Sequence, residues 1–175
     1  MILTLPCNRG FRLPITFEML NKILKRLPVV CSSPYEALLF AAAFSMACHG
    51  FLRVGEIVFT KLGQWHKILD VNDVKIRTLN NCRVIDVHIA FSKTDQEGKG
   101  TLICIQGNNT AACLVLLLQR FLLQRPNVTG VLFCHANGKP ITRYQFSAVL
   151  RKALISAGIQ SDNFKSHSFR ICQWH

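Results

Sequence analysis

Residues 33–56 read SPYEALLFAAAFSMACHGFLRVGE, and this stretch decides the fold. Ser33 followed by Pro34 has the form of an N-cap and a first helical position. The serine hydroxyl takes an otherwise unpaired backbone N–H, and proline's fixed φ suits a place where its missing N–H costs nothing. From there the composition predicts a helix running through Ala41-Ala42-Ala43 to Gly50. It is apolar nearly all round, which leaves no face for water and puts the helix at the centre of a domain. Arg53 and Glu56 follow at a spacing of three, so both fall on one face if residues 52–57 form a helical turn against the buried helix.

Upstream, Thr16 before Phe17-Glu18-Met19-Leu20 reads as another cap, and apolar residues at 20, 23, 24 and 27 give one stripe that Pro28 is expected to stop. Residues 1–14, with Arg9, Arg12 and two prolines, read as an extended basic lead-in. Downstream of Asp70-Val71-Asn72-Asp73 the pattern changes to short β-rich runs at 74–77, 83–91 and 101–105. Ile85, Val87, Ile89 and Phe91 alternate with Asp86 and His88, the period of a half-buried strand. Asp95-Gln96-Glu97-Gly98 is the expected hairpin tip, with Lys93 where the strand enters it. Helix returns at 111–125, capped by Thr110 and ended by Pro126. A short strand at 131–134 and a turn at 136–140 lead to a helix at 142–157 that ends at Gly158. From Lys165 the composition is helical, with His167 and Arg170 one turn apart on one face.

A chain of 175 residues suits one domain, and with 50% hydrophobic and only 17% charged residues it has ample side chains for a core. Its 21 Lys+Arg against 9 Asp+Glu give a formal charge of +12, which points to a polyanionic partner. From Arg120 onward eight basic residues face only Asp162. That excess predicts a strong positive field that steers nucleic acid or an anionic membrane surface onto this part of the chain. If the partner is DNA, Lys139, Arg143, Arg151, Lys152 and Lys165 are the expected contacts, joined by Arg9 and Arg12 of the lead-in.

Cysteines at 7, 31, 48, 82, 104, 113, 134 and 172 include no C-x-x-C pair, so neither a zinc site nor a redox motif is expected. They fit a reducing compartment, nucleus or cytoplasm, without a disulfide framework. No signal peptide is visible, and the most apolar stretches, 37–52 and 111–118, fall short of the ~20 residues of a membrane span.

Four residues stand out chemically: Arg53, Lys93 in Ser92-Lys93-Thr94-Asp95, and His167 with Arg170 in Ser166-His167-Ser168-Phe169-Arg170. A phosphodiester under attack spreads charge over its equatorial oxygens, and fixed cations stabilise it. The planar forks of Arg53 and Arg170 would clamp two oxygens, and Lys93 would protonate the leaving oxygen. His167 would donate to the phosphate or accept the attacking hydroxyl's proton, and Glu56 would hold the geometry. Each feature alone is ordinary: an Arg-x-x-Glu turn is more often a solvated ion pair, and a lysine beside a hairpin tip usually faces water.

Together and in this order, these motifs resemble those of the tyrosine recombinase, or phage-integrase-like, catalytic domain, in the style of the DIRS and Crypton recombinases of eukaryotic mobile elements. The segment Arg9-Gly10-Phe11-Arg12-Leu13-Pro14-Ile15-Thr16 is similar to their link into that domain. The resemblance implies an α+β fold, mostly helical with a small three-stranded antiparallel sheet, over residues 15–175. It also implies DNA recombination or integration by transesterification: a tyrosine hydroxyl attacks the backbone phosphate and releases a 5′-hydroxyl, with no metal or nucleotide cofactor. In it Arg53, Lys93, His167 and Arg170 activate the phosphate, Glu56 supports them, and DNA and further copies of the chain are the partners.

The chain departs from that pattern after Arg170. The family's further His or Trp and its tyrosine nucleophile lie farther downstream; Trp174 and His175 come too soon, and Cys172 stands where a small glycine is common. Tyr35 and Tyr144 lie upstream, in helices where the family has no nucleophile. The expectation is a domain truncated before the nucleophile that cannot cleave alone. The alternative is a non-enzymatic DNA-binding remnant of a mobile element.

Overall fold

The helix α2 (Pro34–His49) is buried at every position from Ala37 to His49, and the other elements are arranged round it. The computed structural model describes residues 12–61, 67–90 and 99–171. Ser33 Oγ caps α2 by accepting the Glu36 N–H at 3.2 Å. A Cβ on Gly50 would lie 3.0 Å from both the Met46 carbonyl oxygen and Leu52 Cγ, so any side chain here would crowd the turn off the helix end.

Thr16 caps α1 (Phe17–Val30), which lays Leu20, Ile23 and Leu27 on the core. Pro28 does not stop this helix. It sits in the last turn, where it removes one intrahelical hydrogen bond, while the Cys31 N–H still reaches the Leu27 carbonyl at 2.9 Å. After α2 comes the single turn α3 (Val54–Ile57).

Strands β1 (Val74–Leu79), β2 (Cys82–Ile89) and β3 (Thr101–Gln106) form an antiparallel sheet in that order. The first hairpin closes through Asn80 and Asn81, at φ 48° and 62°, a left-handed pair whose twist matches that of the strands. Ile85, Val87 and Ile89 of β2 face the core, as their alternation predicts. The strand ends at Ile89; Phe91 and the tip at 95–98 lie outside the described residues.

Two expectations fail for local reasons. Helix α4 (Leu114–Gln124) begins later than Thr110. The Thr110 hydroxyl and N–H both donate to Asn108 Oδ1, at 2.7 and 3.2 Å, which commits Thr110 to a turn. Residues 131–134 make no strand, only the single bridges Asp70↔Val131 and Cys134↔Pro140. Pro140 has no N–H to extend a ladder.

Helix α5 (Arg143–Ser156) starts with a full capping box: Thr142 Oγ1 accepts the Gln145 N–H at 3.2 Å and Gln145 Oε1 accepts the Thr142 N–H at 2.9 Å. The chain closes with a 3-10 helix, Ser166–Ile171, tighter than the ordinary helix that composition suggested. Phe44 of α2, Phe146 of α5 and Phe169 of the terminal helix meet with ring centroids 4.8 to 5.6 Å apart. Leu13 and Ile15 run extended beside the last segment, their N–H groups donating to Asn163 and Ser168 carbonyls at 3.0 and 3.1 Å. The architecture is thus α+β in one domain, mostly helical with a small three-stranded sheet. Among the described residues no helix is long and apolar enough to cross a membrane.

Candidate phosphate site and basic cleft

Arg53 occupies the N-cap of α3, and Glu56 reaches back across the turn. Glu56 Oε2 accepts the Arg53 N–H at 2.7 Å, and Oε1 lies 3.5 Å from Arg53 Nη1. The Glu56 side chain is 11% exposed and that of Arg53 28%. One long contact leaves most of the guanidinium's five donors available for another acceptor. The turn is held from behind, because the Leu69 N–H donates to the Glu56 carbonyl at 2.8 Å.

His167 and Arg170 are both exposed, and between them Ser168 and Phe169 are fully buried. In a 3-10 helix, with three residues per turn, positions i and i+3 eclipse, so both side chains leave on one side. Ser168 fixes the helix start: its hydroxyl accepts the Lys165 N–H at 3.1 Å and its N–H donates to the Lys165 carbonyl at 2.8 Å. α3 follows from the C-terminal end of α2, and the terminal helix packs on α2 through Phe169. Among the described residues no hydrogen bond or ion pair joins Arg53 to His167 or Arg170. Lys93 and Arg9 lie outside the described residues.

The basic residues expected on one DNA-facing surface divide. Arg143, Arg151 and Lys165 line a cavity of about 480 Å³ between α5 and residues 161–166, with Asp162 also on its wall. Lys139 lines a different cavity, of about 650 Å³, together with Glu36 and His135. Lys152 acts electrostatically on the Cys31 thiol, opposing the smaller of the two raising influences there, that of Glu36. Arg12 is exposed at the start of the described chain.

Two polar arrangements escaped the sequence reading. Arg125, one of the eight late basic residues, donates to the carbonyls of Pro126, Val128, Val131 and Leu132 at 2.7 to 3.0 Å, so its charge serves the loop. His135 Nδ1 lies 2.8 Å from Glu36 Oε1, a partner 99 residues away, and its Nε2 lies 3.1 Å from Gln145 Oε1. The Arg125 partners lie within seven residues of it, whereas no local spacing signals the His135–Glu36 pair.

Tyr35 donates its hydroxyl to the Cys134 carbonyl at 2.7 Å, and burial raises its phenol well above the ordinary value. Tyr144 stands 83% exposed on the first turn of α5. Burial, then the nearby Glu36, pushes the Cys31 thiol up to about 11, far from the thiolate that reactivity needs. Among the described residues no three His, Cys, Asp or Glu side chains gather as a metal site would require.

No family model matches the sequence, and no curated protein matches it. Solved structures do. The chain superposes on the XerH site-specific recombinase in a pre-cleavage complex with its difH substrate at a TM-score of 0.64 and 16% identity, over 95% of this chain and 43% of that one. Against a lambda integrase dimer bound to a COC′ core site the TM-score is 0.54 at 14% identity, over 96% and 41%. Against the Tn1549 transposon integrase with transposon right-end DNA it is 0.52 at 16% identity, over 95% and 53%. The chain therefore spans about half or less of the chains it matches, and at such identities the likeness is one of fold. That fold is the tyrosine recombinase catalytic domain's.

Proposed function

We propose that this chain is a tyrosine recombinase-type DNA-binding domain whose phosphate site is formed by Arg53, Lys93, His167 and Arg170, with Glu56 as the group that orients Arg53. Its role is DNA recombination or integration. The observation that carries the reading is the mounting of two cation-bearing turns on the same buried helix: α3 with the half-buried Arg53, and the terminal 3-10 helix with exposed His167 and Arg170. The +12 charge supports DNA as the partner, as do the DNA-bound relatives of this fold. Residues 15–175 act as the working unit, with 1–14 leading into it and further copies of the chain beside it on DNA.

In the reaction read here, a tyrosine oxygen bonds to phosphorus as the bond to the 5′-oxygen breaks. Arg53 and Arg170 share the charge on the non-bridging oxygens, and Lys93 gives its proton to the leaving 5′-oxygen. His167 holds the phosphate or takes the tyrosine's proton. Reversal by the 5′-hydroxyl reseals the strand, so the bond energy stays in the phosphotyrosyl link and needs no nucleotide.

The two tyrosines favour a narrower reading for these 175 residues, binding without cleavage. Tyr35 is committed to the Cys134 carbonyl with a raised pKa, and Tyr144 sits on α5 among the basic residues. A nicked duplex that traps covalent intermediates tests this, with no protein–DNA adduct expected. An adduct that disappears in Tyr35→Phe or Tyr144→Phe overturns it. For the phosphate site, Arg53→Ala and Arg170→Ala should each reduce the salt dependence of duplex binding by about 0.9 in log K against log salt. Unchanged binding in both would leave only a remnant whose pocket has no ligand.

A further inference from the structure

Leu24, Leu27, Pro28 and Cys31 follow one another at helical spacing and so make one stripe at the end of α1. Ala37, Leu38 and Ala41 repeat that spacing on the first half of α2, and Leu117 and Arg120 lie one turn apart on α4. Together they line a groove of about 420 Å³. Its floor is hydrocarbon, and at 1.5 Å per residue the α1 stripe is about 10 Å long, two helical turns. On the α4 rim Leu116, Arg120 and Leu123 form an exposed row, the two leucines 51% and 81% exposed. Apolar surface continuous with a groove in this way marks a contact site. The charge around it is of one sign. Arg120 stands on the α4 rim and Lys25 is exposed on α1 beside Leu24, and among the described residues no hydrogen bond or ion pair engages either side chain. No carboxylate lines the groove, because Glu36, in the first turn of α2, is turned to His135.

We propose that this groove docks an acidic amphipathic helix of another protein. Its apolar stripe lies on Leu27, Ala37, Leu38, Ala41 and Leu117, and its carboxylates meet Lys25 and Arg120 on the two rims. An extended segment would leave its backbone N–H and C=O groups unpaired over hydrocarbon, whereas a helix pairs its own. A phosphodiester strand would lose its water over the same floor without gaining partners. A second copy of this chain is opposed by charge, since each copy carries +12. The groove lies on the first half of α2, and the Arg53 turn follows the far end of that helix. From Ala37 to His49 alone the helix axis runs about 18 Å. The docking surface is therefore separate from the phosphate site and does not rest on the DNA-binding reading.

The experiment titrates the intact chain into a fluorescein-labelled synthetic peptide of about 16 residues, with leucines at i, i+3, i+4 and i+7 and glutamates on both flanks, and reads anisotropy. Binding is expected, and its absence overturns the proposal. Lys25→Glu with Arg120→Glu should weaken binding about tenfold or more, while Arg143→Glu with Arg151→Glu, an equal change of charge away from the groove, should weaken it much less. Equal weakening by the two pairs would mean attraction to net charge alone and overturns the site. The same peptide with serine in place of leucine should lose about tenfold or more in affinity, and unchanged binding overturns the role of the apolar floor. Pro28→Glu places a carboxylate in the groove at an exposed position where glutamate restores a helix N–H. It should block the peptide, and a Pro28→Glu chain that binds like the native one counts against the groove. Light scattering of the intact chain alone should give a monomer. A dimer that Pro28→Glu dissociates would seat a second copy in the groove and overturn the acidic partner.

Discussion

The ring of Phe169 lies stacked on that of Phe44, centroids 5.4 Å apart and planes 23° from parallel, with both side chains fully buried. This contact pins the terminal 3-10 helix to α2, and because Phe169 points inward its neighbours His167 and Arg170 point out. Phe169→Ala should cost about 3–5 kcal/mol, the usual range for emptying a buried phenylalanine site, and Phe169→Leu clearly less. Urea unfolding of the two variants checks it, and a loss below about 1 kcal/mol for alanine would mean the ring is no anchor.

His49 is buried at the end of α2, with Nδ1 2.9 Å from the Ser45 carbonyl oxygen. Burial holds its pKa below the ordinary value, with the Ser45 hydrogen bond opposing. As pH falls through about 6.5 the unfolded chain takes up the proton first, while the folded chain takes it only at lower pH. Stability is therefore fully present above about 6.5 and declines below it, by up to about 1.4 kcal/mol per pH unit for this one group. Melting curves between pH 7.5 and pH 5 should show a smaller loss for His49→Gln than for the native chain. Parallel losses would count against His49 as the source.

Arg125 closes the loop after α4 by donating to four backbone carbonyls. Arg125→Ala should destabilise the fold by on the order of 2–4 kcal/mol, since part-buried carbonyls lose their donors. Arg125→Lys should recover little, because a point charge cannot replace a planar fork. Full rescue by lysine in thermal melts would show that charge alone matters.

Glu56→Gln keeps an oxygen for the Arg53 N–H and should cost less than Glu56→Ala, for which about 1 kcal/mol is expected from the lost cap. Both variants remove the negative charge 3.5 Å from the guanidinium. If Glu56 orients Arg53, both should weaken DNA binding while only alanine appreciably lowers the melting temperature. Equal melting temperatures would remove the capping role.

The caps at Thr16, Ser33 and Thr142, the alternation of β2, the buried character of α2 and the Arg53–Glu56 spacing were all legible in the chain, because each depends on residues within a few positions of one another. Pro28, Thr110 and the segment 131–134 misled because a neighbour decided the outcome: the helix end tolerated a missing N–H, Asn108 captured a hydroxyl, and Pro140 could not extend a ladder. The candidate phosphate residues were named from residue type and order alone. Which arginine serves the loop and which the surface could not be read that way, since Arg125 and Arg143 are equally basic in a sequence. The structure decides it by folding the loop after α4 back so that its carbonyls meet Arg125, and by leaving Arg143 facing a cleft. It also pairs His135 with Glu36 across 99 residues, a pairing with no local signature, because side chains far apart in the chain meet only where packing of the apolar core puts their backbones side by side.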